Sequence, residues 1–177
     1  MEADSVASTI KQQLAKSLDG VKLPAYNEIP NVGLYLEQTT KYLNEYLEPL
    51  AGISLTNSMI SNYVKKKLIA SPVKKQYSRE QIAHLFFIAL TKSVLSLDNL
   101  QTLVKLQQES YTTKDAYIYF CTELEELLHE VFEIKPPQNH TIHSESEEKT
   151  MLHNIIATIA HKIYLDKYFI YLNTKQK

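Results

Sequence analysis

The sequence contains little cysteine, glycine or tryptophan. Among 177 residues it has one cysteine, three glycines and no tryptophan. The single cysteine, Cys121, excludes an intrachain disulfide framework and fits a reducing cytosol. Scarce glycine, together with many Leu, Ile, Lys, Glu and Gln residues, disfavours a turn-rich β fold and favours helices. These shortages predict an all-α protein.

Long apolar runs are also missing. The longest, Leu85 to Leu90, is far shorter than the roughly 20 residues that a membrane span needs. Met1 to Lys16 contains two acidic residues and no apolar run, so it does not resemble a signal peptide. We therefore expect a soluble, cytoplasmic protein that does not bind membranes.

Catalytic and metal-binding motifs are absent or incomplete. There is no glycine-rich phosphate loop, nucleophile elbow or triad pattern, so we expect neither an enzyme nor a cofactor. Glu126 and His129 have the Glu-x-x-His spacing of di-iron bundles, but the second such pair that these bundles need is missing. His140 and His143 lie among acidic residues and could hold a divalent metal, although a solvated loop is the favoured interpretation. His84, between apolar residues, is interpreted as a partly buried structural histidine.

Charge is distributed unevenly along the chain, although the formal net charge is only −1. Residues 56–92 carry seven cations and one anion, a net charge of +6. Residues 109–150 carry ten acids and three lysines, a net charge of −7. This asymmetry suggests a basic face for a polyanion and a separate acidic region, whereas the plain alternative is two solvated helix surfaces.

Helical periodicity and capping residues divide the chain into helices and breaks. Thr56, Ser78 and Ser96 are predicted N-caps, and Pro49 with Gly52 is predicted to end the second helix. Two prolines predict an extended segment over residues 23–30, and the Pro136-Pro137 pair predicts a stop before a polar loop. The predicted helices cover residues 6–18, 33 or just after to 48, 57 to about 66, 79 to about 90, 97 to about 106, 113 or 115 to about 134, and about 148–172.

The segment from Leu68 to Tyr77 contains Pro72 and no helical period, so it is predicted to form a basic β-hairpin or wing. A helix, a break, a short helix and a basic hairpin are typical of DNA-binding heads whose second helix enters the major groove. Asn and Ser can hydrogen-bond to base edges, and flanking lysines can bind phosphates. The candidate DNA-binding residues are Thr56, Asn57, Ser58, Ser61, Asn62, Lys65, Lys66, Lys74, Lys75, Tyr77 and Arg79.

Several segments resemble the head of MerR-type regulators, namely residues 63–69, Pro72, residues 75–82 and residues 96–100. In that family a Tyr-Tyr-Glu-x-x-Gly-Leu-Leu helix end leads to a proline, an Arg-x-Tyr wing end, a helix and a Ser-Leu-x-x-Ile helix. Here Lys67 stands in place of the glycine, and Ser61 and Asn62 replace an arginine and a tyrosine.

A longer resemblance, over residues 23–106, is to the family named domain of unknown function 1836. It is carried by Leu23 to Pro30, Gly33 to Gln38, Ser58 to Lys65 and Tyr77 to Ile82. This family of low-GC Gram-positive bacteria is regarded as MerR-like, so the resemblance implies a DNA-binding head.

Together these patterns predict an all-α protein with a MerR-like winged helix-turn-helix head, a short β-hairpin wing and a C-terminal helical pair. The expected parts are an N-terminal helical arm (1–22), the DNA-binding domain (23–108) and a dimerisation or effector region (109–177). We expect a homodimeric transcriptional regulator that binds specific sequences of double-stranded DNA, with an unknown effector. The alternative is a non-enzymatic interaction module whose basic face binds an acidic partner or its own acidic segment, residues 109–150.

Overall fold

The computed structural model describes residues 2–135 and 146–175, with side chains over 9–135 and 146–174. The predicted stop at Pro136-Pro137, the loop after it, and the candidate ligands His140 and His143 lie outside the described residues. The described residues are mostly helical with one small antiparallel sheet, which confirms the all-α prediction. The helices are α1 (Glu2–Lys16), α2 (Leu36–Ala51), α3 (Asn57–Lys65), α4 (Arg79–Thr91), α5 (Leu97–Ser110), α6 (Thr113–Val131) and α7 (Glu147–Lys175), and the strands are β1 (Leu34–Tyr35) and β2 (Gln76–Tyr77). A short 3₁₀ helix, Tyr26–Glu28, interrupts residues 23–30, so the prediction that this whole segment is extended is only partly correct.

The chain separates into two compact units. The central unit is residues 23–122, and the terminal unit combines residues 1–22 with residues 123–177. The three-part functional division expected from the sequence stays a prediction. None of the helices in the described ranges is long and apolar enough to cross a bilayer.

Helix α4 is the centre of the central unit. Every residue from Ile82 to Thr91 is buried, which is more than the one apolar face predicted from periodicity. Around Phe86 lie the rings of Tyr42, Tyr46 and Tyr117, with centroids at 6.1, 5.8 and 6.2 Å. This aromatic cluster packs α2, α4 and α6 against one another and gives the unit a rigid interior.

Helix α2 begins shortly after Gly33 and ends later than predicted. Its first residue is Leu36, because Leu34 and Tyr35 pair with Tyr77 and Gln76 in the sheet. It also continues through Pro49 to Ala51, so the prediction that Pro49 ends the helix is wrong. The true end is Gly52, which has a φ of 63° and donates its N–H to the Glu48 carbonyl at 2.9 Å. Glycine accepts this left-handed conformation without a Cβ clash.

The predicted hairpin over Leu68 to Tyr77 is only partly correct. Leu68 and Ile69 are buried, at 1 % and 4 % exposure, and form no strand. The hairpin is reduced to a tight turn with a single bridge between Val73 and Gln76. The long-range partner of β2 is instead β1, where an added Cβ at Gly33 would lie 2.7 Å from the Gln76 Cβ. The absence of a side chain at Gly33 is what permits this close approach.

The terminal unit contains α1, the second half of α6 and α7. Its buried residues include Leu14, Leu128 and Ile159, and the rings of Phe132 and Tyr164 meet edge-on at 5.2 Å. His153 Nδ1 lies 2.5 Å from Glu123 Oε1, which links α6 to α7. Toward its end, α7 exposes three large apolar side chains, Leu165, Phe169 and Ile170.

Candidate nucleic-acid interface

The connection between α2 and α3 is held by one side chain, that of Asn44. Its Oδ1 accepts the Leu55 N–H at 2.8 Å, and its Nδ2 donates to the Leu55 carbonyl at 2.9 Å. Leu55 is 2 % exposed, so both backbone groups would be left without a partner if the amide were lost. Asn44 therefore fixes the angle at which α3 leaves α2. It escaped the sequence analysis because a lone asparagine in a helix carries no pattern.

Helix α3 is anchored on one side and capped at both ends. Ile60 and Tyr63 are completely buried, and the Thr56 hydroxyl accepts the Met59 N–H at 3.2 Å, which confirms the predicted N-cap. At the other end, Leu68 N–H donates to the Tyr63 carbonyl and Lys67 N–H to that of Val64, both at 2.9 Å. This pair of bonds is a Schellman motif, in which the left-handed residue is usually glycine. Here it is Lys67, with a φ of 57°.

The opposite side of α3 presents a polar stripe to solvent. Ser58, Ser61, Asn62 and Lys65 are all exposed, and they recur at the three- and four-residue spacing that aligns side chains on one helix face. None of the four side chains has a hydrogen-bond or ion-pair partner among the residues that the structure describes. We call these four residues the α3 stripe.

Asn57 is separated from the α3 stripe by its own contact. Its Oδ1 lies 2.6 Å from Thr40 Oγ1, which is also 2.9 Å from the Leu36 carbonyl. Since a threonine hydroxyl has only one proton, either this proton goes to Asn57 or the Asn57 amide is turned and its nitrogen donates. Both arrangements tie the Asn57 side chain to α2, so it positions the start of α3.

A second basic element follows α3 in the chain. Gln76 N–H donates to the Val73 carbonyl at 2.9 Å, and the two residues between them, Lys74 and Lys75, have φ values of 50° and 64°. Two consecutive positive φ values define a type I′ turn, which favours Asn-Gly. A left-handed conformation costs a residue with a side chain about 1–2 kcal/mol. We call residues 73–76 the basic turn.

Glutamine side chains hold these basic segments against the helices of the central unit. Gln81 Nε2 donates to the Ala70 carbonyl at 2.8 Å, while its Oε1 accepts the Ser78 N–H at 2.9 Å, as predicted for a capping box. Gln101 Nε2 donates to the Lys66 carbonyl at 3.3 Å, so α5 supports the end of α3. The surface that carries the lysines is therefore a fixed part of the fold.

Two more of the candidate residues, after Thr56 and Asn57, are engaged within the protein. Tyr77 is 3 % exposed, and burial raises the pKa of its phenol, so its ring packs in the core and is unavailable to DNA. Arg79 donates from Nε to the Ile29 carbonyl at 2.8 Å and lies over the Tyr26 ring, 5.7 Å from its centroid. Arg79 thus tethers residues 26–29, which precede α2, to the start of α4.

The lysines at the end of α3 and in the basic turn carry uncompensated positive charge. Their side chains are exposed, and none has an acidic partner within the described part of the chain. They are Lys65, Lys66, Lys67, Lys74 and Lys75. Five solvated ammonium groups within eleven residues of the chain, one of them in the α3 stripe itself, create a potential that attracts polyanions.

Comparison with known proteins identifies the family of the chain. The family described as domain of unknown function 1836 matches residues 24–131, which include the α3 stripe and the basic turn. No curated protein and no solved structure matches the chain. Because the match covers more than half of the sequence, the chain belongs to the domain of unknown function 1836 family.

Proposed function

We propose that the central unit is a MerR-like winged helix-turn-helix that binds specific sequences of double-stranded DNA, and that the protein is a transcriptional regulator. The observation that carries the proposal is the α3 stripe. Its residues are polar, exposed and unpartnered, on a helix whose other side is fixed in the core. A helix that reads bases must be held in place, and the buried side and the two capped ends hold α3.

The dimensions of the α3 stripe suit the major groove. From Ser58 to Lys65 the helix rises about 10 Å, and the groove is about 12 Å wide. Asn62 can form paired hydrogen bonds with adenine, and Ser58 and Ser61 can bond to several bases. Asn57 is a positioning residue in this arrangement because its amide is bound to Thr40.

Phosphate contacts would come from the lysines around the stripe. Lys65 and Lys66 lie at the end of α3, and Lys74 and Lys75 form the tip of the basic turn. Contacts of this kind set the register of a protein on DNA without reading its sequence. We therefore assign base reading to Ser58, Ser61 and Asn62 of the α3 stripe, and backbone binding to its Lys65 and to the other three lysines.

A homodimer is part of the proposal. A nine-residue helix reads few base pairs, and two-fold operators are bound by two heads. The exposed apolar residues Leu165, Phe169 and Ile170 of the terminal unit favour a second copy as the partner of α7. Sedimentation at micromolar concentration should detect a dimer, alone or with DNA, and a monomer under both conditions would contradict it.

Selection of bound fragments from random duplex DNA tests the function. We expect an enriched motif whose bases depend on Asn62, so that Asn62→Ala relaxes the preference at one or two positions. The matched control is Lys74→Ala, which should weaken all duplexes alike. If no motif is enriched, or if both variants have the same uniform effect, sequence-specific reading is refuted, and an acidic protein partner becomes the better account of the basic surface.

A further inference from the structure

Left-handed backbone conformations in this protein coincide with exposed lysines. Four non-glycine residues among those described have a positive φ, namely Lys67, Lys74, Lys75 and Glu133. The three lysines lie within residues 67–75 and are exposed. Asparagine, aspartate and glycine are the residue types that ordinarily occupy such positions, so a cluster of three lysines needs a reason.

The fold itself gives little reason for these lysines. At Lys74 and Lys75 the type I′ turn favours Asn-Gly, and at Lys67 the Schellman motif favours glycine. No side chain of the three has a hydrogen-bond or ion-pair partner in the described ranges, so no contact offsets the strain. Lys67 gains some stabilisation from the negative end of the α3 dipole, but Lys74 and Lys75 lie at no helix end.

We propose that Lys67, Lys74 and Lys75 are phosphate-binding residues of the DNA interface, kept as lysines against the preference of the fold. This inference rests on the function proposed above. It adds Lys67 to the interface, and it explains why cations occupy three strained positions within nine residues of the chain. Residues that serve binding at strained positions lower stability, so relieving the strain should stabilise the fold and weaken binding.

The experiment measures stability and DNA affinity on the same variants. Lys74→Asn combined with Lys75→Gly installs the preferred turn, and Lys67→Gly relieves the end of α3. Each variant should melt about 2–4 °C higher than the parent protein. Affinity for a labelled mixed-sequence duplex should fall about eightfold per lysine at 0.1 M salt, because each lost phosphate contact lowers the logarithmic salt slope by about 0.9.

Two controls separate charge from backbone. Lys114→Ala removes one exposed positive charge from α6 and should leave the affinity for the duplex unchanged. Lys74→Arg with Lys75→Arg keeps the charge and the strain, so it should keep the affinity and the melting temperature. If the Lys114 variant loses as much affinity per charge as the Lys67 and Lys74/Lys75 variants, the effect is one of net charge alone. That result would overturn the assignment of phosphate binding to the three lysines.

The outcomes distinguish the inference from the function on which it rests. If the parent protein binds no duplex at low or moderate salt, the proposed function fails and the inference with it. If the parent binds but the glycine and asparagine variants bind equally well, only the inference is overturned. If the variants lose both stability and affinity, the lysines have a structural role and the inference is again wrong.

Discussion

Replacing Asn44 by alanine tests whether one amide fixes α3. The substitution removes two hydrogen bonds to Leu55, of 2.8 and 2.9 Å. It leaves the backbone N–H and carbonyl of Leu55 without these partners, and Leu55 is only 2 % exposed. A net hydrogen bond contributes about 1 kcal/mol, and each buried group left unsatisfied adds a desolvation cost. Because Asn44 is half-buried and water can reach part of the site, we expect a loss of about 3 kcal/mol.

The assay is urea denaturation, supported by thermal melting. For a chain of this size the loss corresponds to a decrease in melting temperature of about 6–12 °C. Asn44→Asp keeps an acceptor for the Leu55 N–H but loses the donor to the carbonyl, so it should also be destabilised. The matched control is Asn99→Ala on the exposed face of α5, expected within about 0.5 kcal/mol of the parent. A loss of stability below about 1 kcal/mol for Asn44→Ala would refute the conclusion that Asn44 fixes α3.

Two further predictions concern Arg79 and His84. Arg79→Lys keeps the charge but cannot reproduce the bonds to Ile29 and Asn27, so stability should fall by about 1–2 kcal/mol with DNA affinity nearly unchanged. The reverse pattern would make Arg79 a phosphate contact instead of a tether. Burial lowers the pKa of His84 in the folded protein. As the pH falls, the unfolded chain therefore binds a proton at this histidine before the folded protein does. The free energy of unfolding should fall by up to about 1.4 kcal/mol when the pH is lowered from 7.5 to 5.5. Denaturation at both pH values should show a smaller fall in His84→Gln, and an equal fall would assign the effect to other histidines.

Much of the fold could be predicted because helix boundaries are local features. Ser78 and Ser96 accept the N–H groups of Gln81 and Asn99 as capping residues should, and α4 and α5 begin at the expected positions. The sheet could not be predicted, because its pairing of Leu34 with Tyr77 joins segments far apart in the chain. Short strands carry too few residues to show an alternating pattern, and the predicted hairpin pairs within itself only at the Val73–Gln76 bridge.

The exposed residues of the candidate site could be predicted from the sequence, but the side chains that hold them in place could not. The polar face of α3 follows from helical spacing, which identified Ser58, Ser61 and Asn62 before any coordinates. Asn44 and Gln101 were missed because they act on backbone carbonyls and N–H groups, whose positions depend on the tertiary fold. Tyr77 is the reverse case, because it was predicted to bind DNA from its place in the basic segment. Its ring is buried by tertiary packing, which the sequence does not show.

Several residues stand where helix and turn preferences disfavour them, and the structure offsets the cost at some of these positions but not at others. Pro49 deprives the Glu45 carbonyl of its helical donor, but Glu45 is exposed, so water can replace the bond. Lys67 is compensated in part by the dipole of α3, whereas Lys74 and Lys75 have no compensating contact in the described ranges. The stability gained on substitution should therefore be larger for the basic turn than for Lys67, while both lose affinity. A larger gain at Lys67 would contradict this ranking, because it would mean that an interaction within the free protein already offsets the strain at the basic turn.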